Sequence, residues 1–126
     1  MDPNANAEST IEQLRLICRA LDDKKAESLK VLHVEGLSPI TDYMILATGT
    51  SEPHLKALRN ALEKTLKESH IPLTGEDRDT QSGWVILDAF DFMVHLFTKE
   101  QRDYYRMDLL WKDAEELDIV EEKLSA

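Results

Sequence analysis

The residues best typed for chemistry lie in one short run, Thr48-Gly49-Thr50-Ser51, between an apolar strand and a helix. Backbone amides at a helix N-terminus can cradle a phosphate, so this turn suggests a nucleotide-binding or nucleotidyl-transfer enzyme. The spacing argues against that use. The run has one glycine and no lysine, matches neither GxGxxG nor GxxxxGK, and is followed by Glu52, a negative charge where the anion would sit. Ordinary turn chemistry accounts for it: a glycine turn, Ser51 as N-cap, and Pro53 in the first helical turn.

Asp88 and Asp91 are the next candidates, as metal ligands. Strand side chains alternate, so two carboxylates on one face need a spacing of two, not three. Hard cations also ask for several convergent carboxylates. Both residues read as turn formers. The four histidines, His33, His54, His70 and His95, form no HxxxH or HExxH pair. His54 sits where a base could act, but a lone histidine is no mechanism without a substrate proton in reach. Cys18 reads as core. A single cysteine excludes an intramolecular disulfide and a multi-cysteine zinc site, and fits a reducing compartment. No serine or cysteine carries a local nucleophile signature. The expectation is a non-enzyme with no catalytic residue, cofactor or metal.

The aromatic set points elsewhere. Trp84, Tyr104, Tyr105 and Trp111, with Met107 among them, are residue types that either fill cores or anchor interfaces. Trp111 reads as core. Trp84 follows a polar loop at a strand start, where one ring face can stay in solvent. For Trp84 and Tyr105 the residues alone leave core and interface open.

The elements that must position these residues follow from periodicity. Met1 to Glu8 reads as a flexible leader, and Ser9 with Glu12 forms a capping box opening a helix. Its stripe is Ile11, Leu14, Ile17, Cys18 and Leu21. A strand over Leu29 to Val34 and a buried strand over Tyr43 to Ala47 suggest an antiparallel pair. The helix after Ser51 places Leu55, Leu58, Leu62 and Leu66 on one side. Burying each contributes about 1.5–3 kcal/mol before entropy is subtracted. Gly75 to Gly83 reads as a polar loop, and Trp84 to Asp88 with Phe92 to Thr98 as a tight hairpin. A helical stretch follows from Lys99, and Asp113 to Glu122 reads as a charged helical tail. The chain therefore divides into a leader (1–8), one domain (9–112) and an acidic tail (113–126).

Composition narrows the partners. The chain has 126 residues, 42% hydrophobic and 32% charged, with a net charge of −10. That is one folded domain of ordinary composition. Residues 1–63 carry 7 basic and 10 acidic side chains and residues 64–126 carry 8 and 15, so the second half holds most of the excess. Such a surface repels phosphate backbones, which disfavours direct DNA or RNA binding, and suits a basic protein partner. No apolar run approaches the roughly 20 residues of a membrane span. No targeting segment is read, which sets the expected location as the cytoplasm.

Taken together, several blocks resemble the ribosomal silencing factor family RsfS, also called iojap-like. They are Ile40-Thr41-Asp42-Tyr43, Ala47-Thr48-Gly49-Thr50-Ser51 with His54, and Lys56-Ala57-Leu58. Further on come Gly83-Trp84-Val85-Ile86-Leu87-Asp88, Asp91, Val94-His95-Leu96-Phe97, Arg102, Tyr104-Tyr105 and Leu110-Trp111. The resemblance runs from about Leu14 to Trp111 and rests on the order of the blocks.

The resemblance implies an α/β domain with a mixed sheet of about five strands flanked by helices, similar to nucleotidyltransferases but without their catalytic residues. It implies binding to the large ribosomal subunit through its basic fourteenth protein, at the face that meets the small subunit. Joining would then be blocked and translation lowered when nutrients are short; organellar relatives act in ribosome assembly. Partner contacts implied by motif position are Trp84, Tyr105, Arg106, Met107 and Asp108. A homodimer is compatible with this reading. Three departures stand out. Glu52-Pro53 replaces the family's frequent Ser-Arg, Phe90 replaces a hairpin glycine, and Met107-Asp108 replaces Leu-Glu.

Overall fold

Alternation along the central strands sorts the molecule into two faces. The computed structural model describes residues 3–39, 41–77, 82–89 and 91–118, with the backbone alone at residues 3–9 and 76–77. Ile40, Phe90 and the tail beyond residue 118 therefore lie outside the described residues, together with the expectations attached to them. Ten elements follow in chain order: α1 (Pro3–Asp23), β1 (Glu27–His33), β2 (Tyr43–Gly49), α2 (Glu52–Glu68), β3 (Gly75–Asp77), β4 (Trp84–Asp88), β5 (Phe92–Thr98), α3 (Lys99–Tyr104), α4 (Met107–Leu110) and β6 (Glu115–Leu117). The strands form one mixed sheet in the order β3-β4-β5-β2-β1-β6. Only β2 and β5 are parallel, in register from Tyr43 opposite Phe92 to Gly49 opposite Thr98. This is the α/β architecture expected, with two short edge strands besides.

One face of the sheet carries the main core. Val31, Ile45, Ala47, Val85, Leu87, Val94 and Leu96 point toward α1 and α2. From the helices, Leu14, Ile17, Cys18, Leu21, Leu55, Leu58, Leu62 and Leu66 meet them, each 2% exposed or less. Cys18 is thus a core residue. Ser51 caps α2, its Oγ accepting from the His54 amide at 3.2 Å, and Pro53 sits in the first turn. Gly49 backs onto that turn: a Cβ there would lie 3.2 Å from the Leu55 nitrogen. The glycine permits close strand-to-helix packing.

The opposite face holds a smaller core of Leu32, Val34, Met44, Leu46, Phe97 and Met107, with Trp84 and Trp111 packed against it. The antiparallel pairing of β1 with β2 and of β4 with β5 agrees with the sequence reading.

Three expectations are corrected. α1 starts at Pro3, so residues 3–8, read as leader, are helical and Ser9 lies inside the helix rather than at its N-cap position. Alanines 5 and 7 with Glu8 favour helix, and proline suits a first turn. Glu12 instead accepts from Arg15 at 2.7 Å. Within the expected loop, Gly75–Asp77 pairs with β4. Within the expected tail helix, Glu115–Leu117 pairs with β1 as a strand, and Leu117 packs on the main core. In both cases an unpaired sheet edge recruits a short segment against its local preference.

Candidate functional site

The turn before Trp84 fixes where the indole can go. Gly83 has φ +79°, and a Cβ there would stand 2.8 Å from Gln101 Cγ and 3.1 Å from Thr98 Oγ1. Only glycine lets the β4 entry lie against the start of α3. Ser82 Oγ donates to the Trp84 carbonyl at 3.0 Å, and the Thr98 amide donates to the Gly83 carbonyl at 2.9 Å. Thr98 in turn caps α3 by accepting from the Gln101 amide.

So held, Trp84 lies on the second face, opposite Phe97 in register. Its ring centroid is 5.2 Å from that of Phe97 and 4.8 Å from that of Tyr105. Tyr104 meets Tyr105 edge-on at 5.0 Å. The indole Nε1–H donates to His95 Nδ1 at 3.1 Å. Because indole nitrogen is a donor only, His95 Nδ1 must hold its lone pair and Nε2 the proton. Nε2 has no partner among the described residues. His95 is 5% exposed, and burial lowers its pKa from 6.5 to about 4. The ring is neutral and structural.

Beside Trp84 opens a cleft of about 330 Å³ lined by Ser82, Trp84, Ile86, Gln101 and Tyr105. Past it, the chain shows solvent a run of large apolar side chains: Tyr104 is 76% exposed, Tyr105 48%, Leu109 56% and Leu110 65%. The structure therefore brings Trp84 and Tyr105 together on an open apolar surface. Arg106 stands beside them, exposed, with left-handed backbone at φ 51°.

Met107 turns inward, while Asp108 stays 44% exposed at the surface and is held by its charge partners. Met107 is 4% exposed and fills the second core. Asp108 accepts from Arg102 Nε at 3.0 Å and from Nη2 at 2.9 Å, with Lys30 Nζ 2.9 Å away. The paired Arg102 and Lys30 hold its carboxyl well below the usual carboxylate range against the opposing effect of burial. The roles of Arg102 and Lys30 are not readable from the sequence. Arg102 bonds to Thr48, 54 residues away, and no local pattern signals that contact.

The phosphate-like turn is occupied by its own protein. The Thr50 amide donates to His54 Nδ1 at 2.8 Å, and His54 Nε2 lies 2.7 Å from the Lys24 carbonyl. Thr48 Oγ1 accepts from Arg102 at 2.9 Å. His54 thus links the end of α1 to the start of α2, a structural role. Among the described residues no three His, Cys, Asp or Glu side chains converge as metal ligands.

Comparison with known proteins decides the family. The family model described as "Ribosomal silencing factor during starvation" matches residues 7–126. The chain belongs to that family. A ribosomal silencing factor from Halalkalibacterium halodurans is 36% identical over 111 residues, spanning 88% of this chain and 95% of that protein. A crystal structure of a Chromobacterium violaceum protein superposes with a TM-score of 0.75 at 35% identity, covering 80% of this chain and 84% of the other. A more distant mouse relative, "Mitochondrial assembly of ribosomal large subunit protein 1", is 28% identical over 102 residues, spanning 76% of this chain and 43% of that protein. The family and its bacterial members are named for silencing ribosomes, a regulatory role rather than an enzymatic one. No helix among the described residues is long and apolar enough to cross a membrane.

Proposed function

We propose that this protein docks on the large ribosomal subunit through Trp84, Tyr105 and Arg106, meeting the subunit's basic fourteenth protein in the cytoplasm. Bound there, it blocks joining of the small subunit and lowers translation under nutrient limitation. The observation that carries the reading is an exposed apolar surface, Tyr104, Tyr105, Leu109 and Leu110 beside Trp84, on a chain of net charge −10. Large aromatics in such a setting are the usual anchors of protein interfaces. The net negative charge of the chain favours a basic protein and disfavours RNA. The family's name ties it to ribosome silencing, and the mouse relative's name associates that protein with the large subunit. Met107 supports the surface from beneath, and Asp108 borders it, paired with Arg102 and Lys30.

The deciding experiment adds purified protein to isolated large subunits and then supplies small subunits. Co-sedimentation with the large subunit and a reduced yield of joined ribosomes are expected. Absence of large-subunit binding at low salt would sink the proposal. The nucleotide-binding alternative gains no support from a turn whose Thr50 amide and Thr48 hydroxyl already have partners within the protein.

A further inference from the structure

The helix that presents Leu109 and Leu110 cannot hold itself. α4 has four residues, and its N-cap Arg106 is left-handed and makes no side-chain capping bond. A single helical turn is unstable alone, because nucleation costs more than its few hydrogen bonds return. Two anchors fix it, one buried and one at the surface. One is Met107, seated in the second core. The other is Asp108, gripped by both Nε and Nη2 of Arg102 in a two-pronged, charge-assisted arrangement.

Arg102 is itself immobilised. It is 4% exposed, and its Nη1 donates to the Ser28 carbonyl at 2.7 Å and to Thr48 Oγ1 at 2.9 Å. Lys30 closes the group from the outer side. One guanidinium therefore ties β1, β2, α3 and α4 at a single point, with Asp108 as the α4 end. The residues alternate in role along the chain: Tyr105 lies on Trp84, Met107 is buried, Asp108 sits half-exposed against Arg102, and Leu109 and Leu110 point out.

We propose that Arg102, Asp108 and Lys30 form a clasp that positions the docking segment, so Asp108 is a positioning residue and not a contact of the partner. This rests on the docking reading above for its functional half; the seating of α4 stands without it. The clasp needs no ligand and exists in the free protein.

The test therefore has two arms. In the first, hydrogen exchange is measured on the free protein and on Asp108→Asn, which keeps the shape and loses the charge. Amides of Leu110, Trp111 and Ala114, bonded within the segment, should exchange about tenfold faster or more, the effect of losing a charged two-pronged bond. Amides of β2 and β5 should hold their rates. Lys30→Met, altered at a partly exposed site, should move the same amides in the same direction by less. Unchanged exchange in both variants overturns the clasp.

In the second arm, affinity for isolated large subunits should fall about tenfold in Asp108→Asn and return in Asp108→Glu, which restores the carboxylate. Weakened binding with unchanged segment exchange would make Asp108 a direct contact and overturn the proposal. If the unaltered protein fails to bind large subunits, the docking reading falls, while the exchange arm still decides the clasp.

Discussion

Acid should weaken this protein through one buried ring. Trp84 Nε1–H donates to His95 Nδ1 at 3.1 Å, so a proton added at Nδ1 would face another donor and break the bond. The ring is also 5% exposed, so charging it means charging it away from water. Burial lowers the His95 pKa from 6.5 to about 4. The unfolded chain therefore binds the proton more readily than the folded one, and stability rises with pH across that window. The contribution is fully present above 6.5 and is lost as pH falls toward about 4. At about 1.4 kcal/mol per pH unit, the whole window amounts to about 3 kcal/mol. Between about pH 7.5 and about pH 5.5, the share lost is about 1.3 kcal/mol.

Urea unfolding at those two pH values measures it, with His95→Asn as the control. The Asn oxygen can stand where Nδ1 stands and accept from Trp84, but it does not titrate. The variant is expected to be weaker at both pH values, because it leaves space where the ring was. Its pH dependence should be flatter than that of the unaltered protein by about 1.3 kcal/mol over the interval. An equal slope in the two proteins would refute the assignment of a buried neutral imidazole.

Tyr105→Ala removes a half-exposed ring and should weaken large-subunit binding by about 2 kcal/mol, roughly thirtyfold, with a smaller effect on unfolding; unchanged affinity in a co-sedimentation titration would take Tyr105 out of the site. Gly83→Ala forces a Cβ into a left-handed position against Gln101 and Thr98. It should cost about 1–3 kcal/mol in denaturant unfolding, and an unshifted midpoint would contradict the packing described. His54→Ala loses the contacts to Thr50 and Lys24 and should cost about 1 kcal/mol, read in the same assay.

What was legible in the sequence is what short-range pattern controls. β4 and β5 have the limits read from their apolar runs, and α2 buries the four leucines its spacing aligns. The edge strands were not legible. Glu115–Leu117 is acidic and short, and becomes a strand because β1 offers it an open edge. The aromatic half of the site was visible as residue types, and the family's motif blocks implied Trp84 and Tyr105 as partner contacts, whereas their ring-to-ring contact is known only from the structure. The anchoring half was hidden. Asp108 is a surface charge in a four-residue helix, and nothing local shows that Arg102 and Lys30 hold it. Met107 shares helical spacing with Leu110 and Trp111, but the stripe splits, with Met107 buried and Leu110 in solvent, so spacing alone does not single it out.

The two ends of the parallel pair explain where function can and cannot lie. β2 and β5 finish together at Gly49 and Thr98, and ligand crevices in α/β sheets form beyond such carboxyl ends. In this chain the polar groups of the turn at that end are taken up by internal bonds, and the cleft of about 340 Å³ beside it pairs Lys30 and Arg102 with Asp108. Thr48 holds Arg102, the Thr50 amide holds His54, Ser51 and Thr98 cap their helices, and Glu52 adds a negative charge. A phosphate would have to displace bonds the fold already uses and approach a chain of net charge −10. The second face of the sheet is the opposite case. Beside its small core it leaves rings and leucines in solvent, on a segment pinned from beneath by Met107 and at the surface by the Asp108 pairing with Arg102. Ordering that segment before contact lowers the entropy lost on binding, which is the arrangement expected of a surface that meets a protein.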